Sequence, residues 1–257
     1  MRARARVVVE RDCDGRSVVR ELRSQPPLSL LPQRGAVAAG SDAVTVHMVG
    51  SATAPLGGDD VVLDVVVGPG ASAVLTGVAA TLALPGRSRS RLAVRLDVGA
   101  GGSLQYLPEP TIVTRRAAHD ATLDARLAPA ARLRCREVLV AGRAGEMCGS
   151  YRGHLRVADD GGPLLVQDLE LGDPALHASP AYLAGYRVLA TEVLVWGEDP
   201  AEARSGPWWS LVPLARRGAL ASAVGPDAVG TQRDLARAVA AHPGWTATVT
   251  DGVRATV

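Results

Sequence analysis

The stretch from Asp60 to Gly77 reads DVVLDVVVGPGASAVLTG, and three later stretches can be laid over it. They are RLAVRLDVGAGGSLQYLP from Arg91, DATLDARLAPAARLRCRE from Asp120 and YRGHLRVADDGGPLLVQD from Tyr151. Each is a strand-like run, a small turn of Gly, Ala, Pro or Asp, and a second strand-like run. The residues before the turns are Val67, Val98, Leu127 and Val157, at spacings of 31, 29 and 30. A period of that size marks a stack of one supersecondary unit. The sequence therefore predicts a mainly β protein, a stacked-strand, β-helix-like solenoid. About two helices accompany it, one of them near the C-terminus. Stacking sets equivalent positions in rows, so function is sought in the rows.

Inside the repeats the alternation has period two. Leu92, Val94, Leu96 and Val98 interleave with Arg91, Ala93, Arg95 and Asp97, which reads as a half-buried strand. Leu123, Ala125 and Leu127 repeat it. Asp159-Asp160-Gly161-Gly162 predicts a hairpin or corner turn. More strand is expected over 186–196, and a closing hairpin around Asp251-Gly252. A helix is expected over 227–241, with Thr231 as N-cap, Asp234 three residues on, and a stop at Pro243-Gly244. A shorter helix is expected over 198–204, where Asp199-Pro200 is a start signal. Residues 26–40 and 172–182 read as surface loops. One domain spanning 1–257 is expected, with a repeat core over about 57–172.

Composition narrows the chemistry. The 257 residues are 47% hydrophobic, enough for a core of Val, Leu and Ala. All 28 basic residues are Arg. Without Lys there is no Walker-A phosphate loop and no Schiff-base chemistry. A net charge of +2 does not suggest a nucleic-acid partner, and Arg2, Arg4, Arg6 and Arg115-Arg116 read as solvated. Three scattered cysteines, Cys13, Cys135 and Cys148, make no disulfide framework and favour a reducing compartment. No apolar run approaches the ~20 residues of a membrane span. A soluble cytoplasmic protein with no membrane partner is expected.

Motifs exclude more than they assign. The five histidines form no HxH or HxxxH pair, and Cys148 with His154 is a spacing that chance supplies easily. There is no GxSxG elbow. The glycines at 68, 70, 99, 101 and 102 sit between strands, so they make no dinucleotide fingerprint.

The rows are more informative. Superposition puts Gly77, Pro108, Glu137 and Asp168 in one row, with Glu109 one position along. On its strand Glu137 shares a face with Leu133, Cys135 and Leu139, while Arg132, Arg134 and Arg136 share the other. An inward carboxylate costs several kcal/mol unless it is paired or holds a cation. Either a bulge turns Glu137 outward or an Arg neutralises it, or carboxylates 109, 137 and 168 form an acidic lining able to hold a divalent cation weakly. Gly57-Gly58-Asp59-Asp60 is a second acidic point, at the mouth of the first strand; an ordinary solvated turn would read the same way.

GGDDVVLDVVVGPGASAVLTGVAATLALPG, from Gly57 to Gly86, resembles the signature of the UreD (UreH) urease accessory proteins: GGD, a strand with VGxGA, then LTTxAATK. LQYLPEPTIV from Leu104, with Tyr106 and Pro108, resembles the family's LEYLPxPxI. GRAGE, ending at Glu146, and LLVQDLEL from Leu164 resemble GR…GE and LLxxDxxxL. The chain departs from the pattern at Gly77, Leu82 and Gln105.

The resemblance implies a scaffold and not an enzyme. Such a protein binds apo-urease and recruits a UreF-type partner and a UreG-type GTPase for nickel delivery. It implies a β-helix fold with two helices, no tightly bound cofactor, and Ni²⁺ in transit through an internal passage. Gly57, Gly58, Asp59, Thr76, Ala79, Ala80, Thr81, Tyr106, Pro108 and Glu146 carry the matching motifs and are expected to serve partner binding. The small residues around Thr76 let coils or a partner approach closely. Asp59, Asp60, Glu109, Glu137 and Asp168 are the expected lining or mouth of the passage. Weak, multiple sites suit fast transit.

Two other classes compete. One is a carboxylate-based glycan-active enzyme on a β-solenoid, with Glu109 and Glu137 as the acid pair. Against it, aromatics are only 3%, and the one candidate platform, Trp208-Trp209, lies outside the repeats. The other is a structural, oligomer-forming protein, which an exposed sheet edge would favour.

Overall fold

A computed structural model describes residues 1–35, 40–52 and 54–246. The hairpin expected at Asp251-Gly252 lies outside the described residues.

The chain opens with the hairpin β1 (Arg2–Arg11) and β2 (Ser17–Arg23), then β3 (Leu28–Pro32) and β4 (Val44–Gly50). Three coils follow. The first holds β5 (Asp60–Val67), β6 (Ser72–Gly77) and β7 (Thr81–Ala83), and the second β8 (Ser90–Val98), β9 (Ser103–Leu107) and β10 (Thr111–Val113). The third holds β11 (Ala118–Leu127) and the long β12 (Arg132–Ala141). β5, β8 and β11 pair in parallel in one sheet. β6, β9 and the first half of β12 pair in parallel in a facing sheet. β7, β10 and the second half of β12 are also parallel neighbours. The array begins before the sequence repeat does, because β1 pairs in parallel with β5 and β4 with β6.

The strand alternation decides which residues go inside. Val7, Val65, Leu96 and Ala125 stand in register across the first sheet and are fully buried between the two sheets. The outward rows are ionic. One runs Arg2, Asp60, Arg91, Asp120, and the other Arg6, Asp64, Arg95, Asp124. Opposite charges directly across strands stabilise the pairing, and Arg95 reaches Asp64 at 3.4 Å.

Each coil turns from one sheet to the other through a four-residue corner: residues 68–71, 99–102 and 128–131. The third corner residue is left-handed every time, at Gly70 (φ 64°), Gly101 (φ 65°) and Ala130 (φ 58°). Only the last carries a Cβ, which costs about 1–2 kcal/mol in that region. Ala130→Gly is therefore expected to raise unfolding stability by about 1 kcal/mol, net of the entropy that Gly adds to the unfolded chain. Chemical denaturation checks it, and a lower midpoint would contradict it.

The fourth repeat breaks the pattern. β13 (Ser150–Asp159) joins the first sheet beside β11, but β14 (Gly162–Leu171) folds straight back onto it, antiparallel. Asp160-Gly161 leaves only two residues between the strands, the length of a hairpin and not of a corner. The register shows the slip too: Leu127 aligns with Asp159, and Val157 with Ala125. Both ionic rows continue into this hairpin, through Arg152 and Glu170 in one and Arg156 in the other.

After the hairpin come the helix α1 (Pro174–Ala178) and the strands β15 (Val188–Val195), β16 (Arg204–Ser205), β17 (Trp209–Pro213) and β18 (Ala219–Gly225). The helices α2 (Ala228–Ala240) and α3 (Pro243–Thr246) complete the described part. β15 pairs antiparallel with β12 and extends the second sheet through β18 and β17 to β16. α2 packs Leu235, Ala238 and Val239 on Val188, Ala190, Ala219 and Ala221 of that extension. Among the described residues no helix is long and apolar enough to cross a membrane.

Several expectations about helices change. The C-terminal helix is capped by Asp227, whose side chain accepts from Gly230 N–H, while Thr231 lies inside the first turn with its hydroxyl on the Asp227 carbonyl. Pro243-Gly244 opens a further short helix instead of only ending one. No helix forms over 198–204, where the Glu198 carbonyl accepts from Gly244 N–H. The second Asp-Pro signal, Asp173-Pro174, does start a helix, with Asp173 accepting from Ala175 and Leu176, inside a segment expected to be loop. β3 likewise occupies part of the loop expected over 26–40.

Candidate functional site

A cavity of about 190 Å³ lies between the two sheets. It is lined from the first sheet by Val61, Leu92, Ala121 and Gly153, and from the second by Met48 and Tyr106. These first-sheet residues stand on β5, β8, β11 and β13, so at roughly 4.8 Å per strand the cavity extends about 15 Å along the stacking axis.

Glu137 is the carboxylate turned into it. β12 keeps regular pairing with β9 and β15 and has no bulge, so the alternation carries Glu137 inward beside Cys135. The exposure it retains faces the cavity. Burial raises its pKa, and the Tyr151 hydroxyl, donating to Oε1 at 2.6 Å, partly counters that. Tyr106, fully inside on β9, and Cys135 complete this part of the wall, and burial raises both their pKa values. Thr191 faces Glu137 from β15.

The arginines of β12 alternate with Glu137 onto the other face of the strand, although Arg136 also borders the cavity. Arg134 donates to Glu192 in a close ion pair and stacks 4.3 Å over the Trp245 ring. Arg136 donates to the Pro108 carbonyl at 3.2 Å and stands 3.8 Å from Glu109. Neither arginine pairs with Glu137.

The row is only partly assembled. Pairing of Thr76 with Leu107 and of Cys135 with Tyr106 sets Gly77, Pro108 and Glu137 at one level. Glu109, half-buried, lies against Gly77 and borders the same cavity. Asp168 does not join them. Because β14 turns back into the first sheet, Asp168 sits exposed opposite His154, with Nδ1 and Oδ1 2.6 Å apart.

Asp59 and Asp60 are placed elsewhere as well. Asp59 is 5% exposed; its Oδ1 accepts from the N-terminal amine at 2.7 Å and its Oδ2 from Leu56 N–H at 2.9 Å. Burial opposes its ionisation, but these two donors outweigh that and hold its pKa down. Asp60 belongs to an outer ionic row, between Arg2 and Arg91. Among the described residues no three His, Cys, Asp or Glu side chains converge as a metal-binding group. Cys148 lines a different pocket, with His177, and His154 is with Asp168.

The remaining motif residues spread along one flank. Gly57 and Gly58 form the turn before β5, and Gly57 lies backbone against backbone on Gly86. Thr76 ends near the cavity level on β6, Ala79 and Ala80 are exposed in the link to β7, and Thr81 pairs with Thr111. Glu146 closes the GRAGE loop, accepting from Arg143 Nε at 2.9 Å and from its backbone N–H at 3.1 Å. The Arg143 guanidinium holds its carboxyl at about 2, far below the ordinary range.

Sequence reasoning missed Tyr151. Its partner is 14 residues away and comes from the other sheet, so spacing gives no hint. The available signal was its inward position at the start of the fourth repeat, followed two residues on by Gly153. The Trp208-Trp209 platform is not at the cavity: Trp208 stacks edge-on to Tyr186 at 4.6 Å, and Trp209 packs beside α2.

Comparison with known proteins gives matches over nearly the whole chain. The UreD urease accessory protein family profile matches residues 1–254. A urease accessory protein UreD 1 of Saccharopolyspora erythraea is 54% identical over 245 residues, covering 95% of this chain and 96% of its own. Urease accessory proteins UreD of a Parafrankia strain and of Frankia alni are each 41% identical, over 91% of this chain and 86% and 91% of their own. With a family match over residues 1–254 and a relative 54% identical over 95% of its length, the chain belongs to the UreD family of urease accessory proteins.

Proposed function

We propose that this protein is a non-catalytic scaffold of urease maturation. It holds apo-urease together with a UreF-type partner and a UreG-type GTPase, and Ni²⁺ passes through it along the cavity between the sheets. Nickel is cargo here, with no resident cofactor. The observation that carries the reading is Glu137: a carboxylate facing the cavity between the sheets, while Arg134 and Arg136 of its own strand bond elsewhere. Glu109, at the border of the same cavity, supplies a second acid. Such a sparse acidic path captures a divalent ion weakly and releases it, as transit demands. The exposed Ala79 and Ala80 and the flank around Gly57 are the surface this reading gives to partners. The free cysteines Cys13, Cys135 and Cys148 suit the reducing cytoplasm it places the protein in.

The test is Glu137→Gln, co-expressed with the partners and the urease subunits. Urease activation is expected to fall several-fold while affinity pull-down still recovers the whole complex. Full activation in Glu137→Gln and in the Glu109→Gln/Glu137→Gln double variant would remove the cavity from the mechanism. Loss of the complex would mean that Glu137 supports folding or assembly instead.

A further inference from the structure

We infer that Tyr151 sets how long a divalent cation rests at Glu137, because its hydroxyl holds the carboxylate oxygen that the cation must take. The inference rests on the reading of the cavity as a nickel path. The two residues come from opposite walls, Tyr151 from β13 in the first sheet and Glu137 from β12 in the second. Their 2.6 Å hydrogen bond therefore bridges the interior.

Tyr151 is built to stay there. It is 1% exposed, and its ring lies along its own strand over Gly153. A Cβ at Gly153 would stand 2.9 Å from the ring and 3.0 Å from the hydroxyl, so only a bare Cα admits this rotamer. His119, the register neighbour on β11, has its ring 6.0 Å from that of Tyr151. A donor fixed in this way is a standing competitor for the carboxylate, and it does not need to be reordered when the cation leaves. A hydrogen bond to a charged acceptor is strong enough to lower cation affinity about tenfold. Tyr106, Cys135 and Thr191 beside Glu137 bring no carboxylate, and the cavity's other acid, Glu109, stands 3.8 Å from Arg136. One carboxylate opposed by one hydroxyl makes a shallow resting point.

The test is Ni²⁺ binding to the full-length protein, followed by competition with a chromophoric chelator, for the parent, Tyr151→Phe, Glu137→Gln and the double variant. Tyr151→Phe is expected to bind Ni²⁺ about tenfold tighter, and the gain should vanish in the Glu137→Gln background. Urease activation by Tyr151→Phe should slow, because the ion lingers. Gly153→Ala, which displaces the ring and keeps the hydroxyl, should shift affinity the same way and serves if Tyr151→Phe fails to fold. Tyr151→Phe affinity equal to or below that of the parent, with Glu137→Gln still weakening binding, overturns the role of Tyr151 and leaves the path intact. Binding and activation both untouched by Glu137→Gln overturn the path itself, and the inference with it.

Discussion

Glu192→Ala is expected to lower the unfolding free energy by about 3–5 kcal/mol, because it strips half-buried Arg134 of its counter-ion and leaves half-buried Arg136 with only Glu109, 3.8 Å away. Glu192 is 1% exposed on β15. Arg134 ion-pairs with it directly, and Arg136 faces it across the strand register. Both guanidiniums lie on one face of β12, with side chains only 17% and 18% exposed. Without the carboxylate they repel each other where water reaches them poorly. Trp245 keeps its stacking contact with Arg134, which offsets only a small part of the loss. Replacing the pair, as Arg134→Met/Glu192→Leu, should restore most of the stability, since the cost belongs to the unpaired charge. Urea unfolding of the three proteins decides the matter. A Glu192→Ala protein within 1 kcal/mol of the parent would mean that Arg134 relaxes into solvent.

A second large effect should appear in acid. His119 is 2% exposed, with Nδ1 2.8 Å from the Ser90 hydroxyl. Burial is the main cause that brings its pKa down to about 4; nearby Asp120 opposes this and nearby Arg89 adds to it. The folded state thus keeps His119 neutral over a range where the unfolded chain, at about 6.5, has taken up a proton. The unfolded state binds more protons there, so stability falls as pH drops. The contribution is complete above about 6.5 and is lost progressively down to about 4. Across that window it amounts to roughly 3 kcal/mol. His119→Gln should flatten the slope between pH 6.5 and 4 in a series of denaturant titrations. An unchanged slope would show that His119 does not carry the acid sensitivity of this window.

The stacked architecture was legible because two signals coincide: period two within strands and period 30 between them. Val65, Leu96 and Ala125 announce the inner row by alternation alone. The inward turn of Glu137 follows from the same alternation, since nothing interrupts β12. The turn at Asp159–Gly162 was legible as a hairpin or a corner, but the row that included Asp168 took it as a corner, and the turn selects the sheet. That single difference moves Asp168 from the acidic row to the outer face. The Asp-Pro signal was read at Asp199, where no helix forms because the adjoining Glu198 carbonyl is bonded to the C-terminal segment, and passed over at Asp173, where a helix does start. Tyr151 could not be found by spacing, since its contact exists only after two sheets face each other.

The outward rows carry a further consequence, one of parity. Charge reverses at each step across the first sheet, Arg2 to Asp60 to Arg91 to Asp120 to Arg152 to Glu170. Excising the middle coil would leave Leu63 meeting Leu123 and the apolar interior nearly whole, yet it would bring Asp60 against Asp120 and Asp64 against Asp124. Two coils could be removed or added with the signs still matched. Apolar inner rows such as Val65, Leu96 and Ala125 cannot tell odd from even; the charged outer rows can. The number of coils is therefore checked from outside, by a sequence of signs that only pairs of coils preserve.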